Sequence, residues 1–261
     1  MEKLHVIKIG GNIIDDELLL NAFLKKFAAI NTKKILVHGG GKLATRLTEQ
    51  LGIRQQIIEG RRITDAETLK IVTMVYAGYI NKNIVAQLQS LHCNAAGISG
   101  ADGNSILSHK REKSSIDYGF AGDVDYVNAG WLKQLLDNGL AVVVAPITHD
   151  GKNQLLNTNA DTIAQEIAKA MSPSFEVSLV YSFEKPGVLI DVEDENSVIK
   201  ILHADYYRQL KESKKIFAGM IPKLDNAFTA IRHGVDKVII GKGEELEKLI
   251  TGKAGTTISH E

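Results

Sequence analysis

Two lysines, one aspartate and two glycine turns are the residues of this chain that could do chemistry together. Lys8 stands inside the apolar run Leu4-His5-Val6-Ile7-Lys8-Ile9 and is followed at once by Gly10-Gly11. A charge without compensation is costly to bury, so a lysine at that place points to an anion beside the turn, or else to a sheet edge with a solvated amine. Leu36-Val37-His38 runs directly into Gly39-Gly40-Gly41-Lys42. Glycines there allow positive φ and let a ligand approach main-chain N–H groups with no Cβ in the way. Leu43, Leu47 and Leu51 follow at helical spacing, so the loop also opens a helix, whose N-terminus favours anions. Lys223 follows Pro222 at a predicted helix start, where a cation opposes the helix dipole and calls for an anionic partner unless it is solvated. Asn157-Thr158-Asn159-Ala160-Asp161 precedes a helix predicted over 162–170. One residue can cap that helix, so three amide or carboxylate side chains exceed what capping needs.

These parts suit transfer of a phosphoryl group between bound anions. That reaction needs donor and acceptor held in line, with lysines, N–H groups and magnesium neutralising the charge on the moving oxygens. The glycine loop is not a Walker A sequence, because Leu43 follows Lys42 and the motif's first glycine is missing. Gly39-Gly40-Gly41-Lys42-Leu43-Ala44 does fit the looser G-x-G-x-x-G/A pattern of dinucleotide folds, with Glu59 as the acidic residue about 20 positions on. A nicotinamide-dependent dehydrogenase therefore stays open, although it leaves Lys223 without a role. Arg62 precedes a predicted helix and can clamp a carboxylate at two points; beside Arg61, solvated surface charge is the plainer reading.

The elements that must position these residues alternate. Strands are predicted over 4–9, 95–98, 140–145, 177–181, 188–191 and 237–240, with a further strand ending at His38. Helices are predicted over 15–30, 42–51, 65–78, 80–91, 129–138, 162–170, 204–211 and 221–233. A short ribbon spans 57–62, and a β-hairpin over 106–128 is placed to cover a pocket. This order predicts an α/β fold, a three-layer α/β/α sandwich with a mainly parallel central sheet, in which ligands bind beyond the carboxyl ends of the strands. Met171-Ser172-Pro173 marks a lobe boundary, giving lobes 1–172 and 173–261 that share the sheet.

With 261 residues the chain is long enough for a large core. Its 31 basic and 31 acidic residues leave no net charge to attract nucleic acid or an anionic membrane, so small molecules are the expected partners. The single Cys93 excludes an internal disulfide and a cysteine-based zinc site, and the eight histidines lack ligand spacing. No signal peptide opens the sequence and no apolar run approaches the ~20 residues of a membrane span. A cytoplasmic protein is expected.

Taken in order, Ile7-Lys8-Ile9-Gly10-Gly11, Val37-His38-Gly39-Gly40-Gly41, Arg62-Ile63-Thr64, Ser99-Gly100 with Asp102-Gly103, Asn157-Thr158-Asn159-Ala160-Asp161 and Gly219-Met220-Ile221-Pro222-Lys223 resemble the amino-acid kinase family. Gly119-Phe120-Ala121-Gly122-Asp123-Val124 and the final Gly255-Thr256-Thr257-Ile258 extend the likeness over nearly the whole chain. Within that family the pattern is similar to the branch acting on N-acylglutamates. The resemblance implies ATP-dependent phosphorylation of the side-chain carboxylate of such a substrate, in arginine biosynthesis, with Mg2+ carried by ATP and no metal held by the protein alone. It implies catalytic roles for Lys8 and Lys223, which would flank the phosphoryl group, and for Asp161, which would hold both. Gly10 and Gly11 would meet phosphate oxygens and Gly40 and Gly41 the substrate, with the N–H groups of Gly11 and Gly41 contacting the oxygens of the transferred phosphoryl group. Arg62, Asn157 and Asn159 would bind substrate; the lobe after 172 would carry ATP around Gly187 and Gly219.

The chain departs from the family pattern in Phe183-Glu184-Lys185-Pro186-Gly187, where an aspartate is common, and at Ala218 before Gly219. It also lacks the extra N-terminal helix of arginine-inhibited hexameric relatives, so a homodimer insensitive to arginine is expected. The acyl group is acetyl by family default. Succinyl would leave every named residue unchanged, and the hairpin 106–128 is the expected wall beside that group, its basic run His109-Lys110-Arg111 reading equally as solvated surface. Another activity of the same family, on carbamate, aspartate, uridylate or free glutamate, is a further alternative, disfavoured by the Arg62 and Asn157-Thr158-Asn159 context; the rival from another class is a non-catalytic sensor of ATP or an amino acid.

Overall fold

Alternation along the first strand creates two cores. In Lys3–Ile9, Leu4 and Val6 enter one apolar cluster while Ile7 and Ile9 enter the other. Side chains of a strand point to opposite faces in turn, so a strand buried on both faces reads as a continuous apolar run and leaves room for helices above and below. The computed structural model describes residues 1–53, 56–58, 61–112, 115–213, 216 and 220–259.

The chain begins β1 (Lys3–Ile9), α1 (Gly11–Ile14), α2 (Glu17–Ala28), β2 (Lys33–His38) and α3 (Gly41–Gln50). The ribbon β3 (Ile57–Ile58) and β4 (Arg61–Arg62) leads to α4 (Ala66–Thr73), a π-helical segment (Met74–Ile80) and α5 (Asn81–Ser90). Next come β5 (Ala95–Ile98), β6 (Ile106–Lys110), β7 (Ala121–Val127), α6 (Ala129–Asp137), β8 (Ala141–Val144), β9 (Ile147–His149), β10 (Leu155–Thr158) and α7 (Ala160–Met171). The remainder is β11 (Glu176–Phe183), α8 (Ala204–Glu212), α9 (Ile221–Arg232), β12 (Lys237–Lys242), α10 (Leu246–Ile250) and β13 (Thr256–Ser259).

Seven strands form the central sheet in the order β13-β12-β11-β1-β2-β8-β5, every neighbouring pair parallel except β12 with β13. Residues of α6, α7, α8 and α9 pack on one face, and residues of α2, α4, α5 and α10 on the other. The expected α/β three-layer sandwich with a mainly parallel sheet is what forms. The strand β1 lies between β2 and β11, with Lys8 level with Val37 on one side and Tyr181 on the other. Chain direction therefore leaves β1 toward both halves, and the crevice at such a switch point is where ligands of parallel sheets bind.

Several expectations change in detail. The predicted break between helices 65–78 and 80–91 is absent: α4, the π-helical segment and α5 run on, and Gly78 sits in open space where its lack of a side chain costs the helix about 1 kcal/mol. The predicted strand over 188–191 reduces to one bridge, Leu189 with Val198, because Asp191 and Asp194 turn the chain back onto Ser197. The hairpin 106–128 is present as antiparallel β6 and β7, but it closes with β9 and β10 into a small barrel that the sequence did not announce. The strands β9, β10 and β13 are too short to show a period.

The glycine loop after β2 is a tight fit. Gly40 has φ of +145°, and a Cβ there would stand 2.3 Å from Ile80 Cδ1. Gly40→Ala should therefore cost about 2 kcal/mol or more in urea unfolding, through backbone strain and overpacking together. An unchanged unfolding midpoint would contradict this packing.

Candidate active site

Three elements deliver three charges to one point. Lys8 comes from the carboxyl end of β1, Asp161 from the first turn of α7 and Lys223 from the first turn of α9. Lys8 Nζ lies 2.8 Å from Asp161 Oδ1, and Lys223 Nζ donates to Asp161 Oδ2 at 2.9 Å. All three side chains are mostly shielded from solvent. Burial acts to raise the Asp161 carboxyl, but the charges and hydrogen bonds of Lys8 and Lys223 outweigh it and hold the group at about 2, below its ordinary 3.8. Tyr181, buried on β11, donates from its hydroxyl to the Asp161 carbonyl at 3.3 Å. Phe183, the last residue of β11, lies under Lys223, 5.5 Å from ring centroid to Nζ.

Beside this cluster two glycine turns each start a helix. Gly10 is the N-cap of α1 and Gly40 that of α3, so Gly11 and Gly41 are first-turn residues whose N–H groups a helix cannot satisfy by itself. Here the expected turn after Gly10-Gly11 is replaced by immediate helix. N–H groups of this kind, next to two lysines, suit phosphate oxygens.

A cavity of about 660 Å³ opens from the second glycine turn. It is lined by Gly39, Gly40 and Gly41, by Arg62, Tyr76 and Arg111, and by Asn157, Asn159 and Ala160, the last two adjoining Asp161. The Arg62 guanidinium is buried and donates to the Gly41 carbonyl at 2.9 Å and to Thr45 Oγ1 at 2.7 Å, so the plainer reading of Arg61-Arg62 as surface charge fails for Arg62. Asn157 Nδ2 donates to Thr64 Oγ1 at 3.0 Å, which fixes the amide at the cavity wall. Asn159 caps α7: its Oδ1 accepts from the Asp161 and Thr162 N–H groups at 2.8 and 3.1 Å.

The structure thus brings Lys8, Asp161 and Lys223 together, sets Gly10, Gly11, Gly40 and Gly41 at two helix starts, and places Arg62, Asn157 and Asn159 along one cavity. Gly187 stands apart from that cavity, in a turn where a Cβ would meet Thr256 Oγ1 at 2.7 Å and Val198 Cγ1 at 2.8 Å. Gly219, with Ala218 and Glu59, lies outside the described residues. The lining also includes Arg111 of the basic run, and Tyr76 and Asp15, which the sequence does not single out. The Arg111 Nε donates to Asp123 Oδ2 at 2.9 Å, which holds the side chain half-buried at the wall. Tyr76 carried no signal beyond helical spacing. Asp15, one turn after Gly11, lies 3.4 Å from Arg46, and burial raises its carboxyl despite the opposing charges of Arg46 and Lys42.

Residues 3–242 match the family described as the amino acid kinase family. The chain belongs to this family, and it is an enzyme. Among its curated relatives, the family member named Acetylglutamate kinase from Cytophaga hutchinsonii is 58% identical over 251 residues, covering 96% of this chain and 95% of the relative. Another of that name, from Methanopyrus kandleri, is 37% identical across 98% of this chain and 100% of its own. Solved structures share the family's fold: an N-acetylglutamate synthase from Neisseria gonorrhoeae superposes with a TM-score of 0.83 at 22% identity, and a Giardia carbamate kinase with 0.73 at 14%. This chain spans 60% of the longer synthase and 99% of the carbamate kinase.

Because the folded carboxyl of Asp161 titrates below its unfolded value, its contribution to stability is present above pH about 4 and is lost as pH falls through about 2. Asp161→Asn should lower stability at neutral pH by about 2 kcal/mol, and the gap to the wild type should close as pH falls from about 4 to about 2. Denaturant midpoints measured across that range check both statements; a gap that does not vary with pH would refute the pairing.

Proposed function

We propose that this enzyme transfers the γ-phosphoryl group of ATP to the side-chain carboxylate of N-acetyl-L-glutamate, a step in arginine biosynthesis. The observation that carries the reading is Asp161 holding Lys8 and Lys223 2.8 and 2.9 Å away, beside N–H groups of two helix starts. The names of the curated relatives support the substrate.

The residues act by placement and charge. The substrate carboxylate is itself the nucleophile, so the protein needs no attacking side chain. One carboxylate oxygen forms a bond to the γ-phosphorus as the bond to the bridging oxygen breaks, and ADP leaves with that electron pair. Charge spreads over the moving oxygens, where Lys8, Lys223 and the N–H groups of Gly11 and Gly41 neutralise it. Asp161 keeps two like charges at one site while the phosphoryl group is absent. Its two oxygens are taken by lysines, which suits magnesium arriving with the nucleotide, where it neutralises phosphate charge. Arg62 and Asn157 would hold the α-carboxylate and amide of the substrate within the cavity.

Among the described residues, those lining the cavity lie between 15 and 160, and Lys223 reaches the cluster from the later part of the chain. This supports division into a substrate lobe, 1–172, and a nucleotide lobe, 173–261, and we assign dimerisation to the first. We place the enzyme in the cytoplasm as a homodimer insensitive to arginine. Light scattering should give twice the chain mass, and a hexamer or inhibition by arginine would overturn that assignment.

A second reading, N-succinylglutamate as substrate, is favoured by Arg111 on the cavity wall formed by the hairpin, where a further carboxylate on the acyl arm would find a cation. Incubation with MgATP, hydroxylamine and, in turn, N-acetylglutamate, N-succinylglutamate, free glutamate and aspartate decides by the trapped hydroxamate. Product with one N-acylglutamate alone is expected. Lys8→Ala should lower that turnover by about a hundredfold or more with the fold kept; undiminished phosphorylation would sink the reading, and ATP binding without any product would favour the sensor.

A further inference from the structure

His38 ends β2 with no exposed surface, and no step of the transfer uses it. Its ring is partnered on both sides. Nδ1 lies 2.8 Å from the Gly39 carbonyl oxygen, which can only accept, so Nδ1 carries the proton. Asn81 Nδ2 donates to Nε2 at 3.3 Å. The Asn81 amide is oriented independently, since Nδ2 also donates to the Val143 carbonyl at 3.0 Å and Oδ1 accepts from Lys82 Nζ at 3.2 Å. Burial lowers the His38 ring to about 4, further helped by the charge of Lys82 and opposed by the bond to Gly39, so the ring is neutral near pH 7 and this tautomer persists.

The Gly39 carbonyl shares a peptide plane with the Gly40 N–H, and in a trans peptide the two point in opposite directions. The chain contains no cis peptide among the described residues. Tying the carbonyl to the buried ring therefore turns the Gly40 N–H away from the core, to the side where Gly39, Gly40 and Gly41 line the cavity. The support for this ring is also built in. The π-helical segment ends at Ile80, which packs on Gly40, and the next residue is Asn81. On β5, Gly97 leaves the amide its room, for a Cβ there would stand 2.0 Å from Asn81 Oδ1.

We propose that His38 and Asn81 are positioning residues that, acting through the Gly39 carbonyl, aim the Gly40 N–H at the oxygens of the moving phosphoryl group. The assignment rests on the phosphoryl-transfer reading above. It explains why a polar pair is kept in a core where apolar side chains of similar size would pack without desolvation cost.

The test compares His38→Leu, which removes the donor, with His38→Asn, whose amide nitrogen can take the place of Nδ1. His38→Leu and Asn81→Leu should lower kcat by about tenfold or more while KM for the acylglutamate moves by less than about threefold, because the aim of this N–H matters when charge develops in transfer. His38→Asn should stay within about threefold of the wild-type kcat. Equal loss in His38→Leu and His38→Asn, or a raised KM with kcat kept, would overturn the assignment. If His38→Leu does not fold, Asn81→Leu and Gly97→Ala decide, and wild-type kcat in both refutes it. Calorimetric titration with MgADP and aluminium fluoride, a mimic of the moving group, gives a readout that needs no acyl substrate. The variants should bind it about tenfold more weakly, and unchanged binding would overturn the proposal. A wild type that binds this mimic yet phosphorylates no acylglutamate would cost only the functional reading.

Discussion

One carboxylate holding two ammonium groups is the constraint on which this structure turns. Lys8 and Lys223 lie far apart in sequence and belong to a strand and a helix with no local reason to meet. Two like charges brought to one shielded place repel, and each loses solvation, so the arrangement stands only because Asp161 offers one oxygen to each. The position of Asp161 is in turn determined by the cap at Asn159 and by Tyr181, which reaches its carbonyl from the neighbouring strand. The sheet order, the start of α7 and the start of α9 are therefore conditions for one ion cluster.

The same features that position the charges also make the site ready for anions before any arrive. Helix starts at Gly11 and Gly41 leave N–H groups without helical partners, and Asp161 compensates the charge of both lysines. Under the proposed function an incoming phosphoryl group would meet donors that need little rearrangement, and preorganisation of this kind is where enzymes find most of their electrostatic stabilisation.

Much of this was legible in the sequence, for identifiable reasons. Strands such as β1, β5 and β8 are apolar runs bounded by glycine or proline, and the glycines and lysines of the site are residue types whose cost demands explanation. The Asn157-to-Asp161 cluster carried more polar groups than a cap needs, and the structure divides them: Asn159 caps, Asp161 pairs and Asn157 faces the cavity. What escaped had no local signal. Strands of three or four residues show no period, and a π-helical segment differs from α-helix by a single residue in its hydrogen-bond spacing. Arg111 in a basic run looks like solvated charge until Asp123, twelve residues later, is seen folded back against it. The pairing between His38 and Asn81 spans 43 positions and follows from tertiary packing alone.

The ladder between β1 and β11 has a consequence for how the chain comes into being. Six residues of β1 pair with β11, and Leu4, Val6, Ile7 and Ile9 are wholly buried. During translation β1 leaves the ribosome first, whereas β11 follows only after some 170 further residues have been made. At typical elongation rates that gap lasts on the order of ten seconds or more. Through it, one side of β1 presents unpaired N–H and C=O groups flanked by apolar side chains, the kind of edge that joins other strands indiscriminately. The strand that centres the site is thus also the one in the central sheet whose edge waits for its partner across the longest stretch of chain.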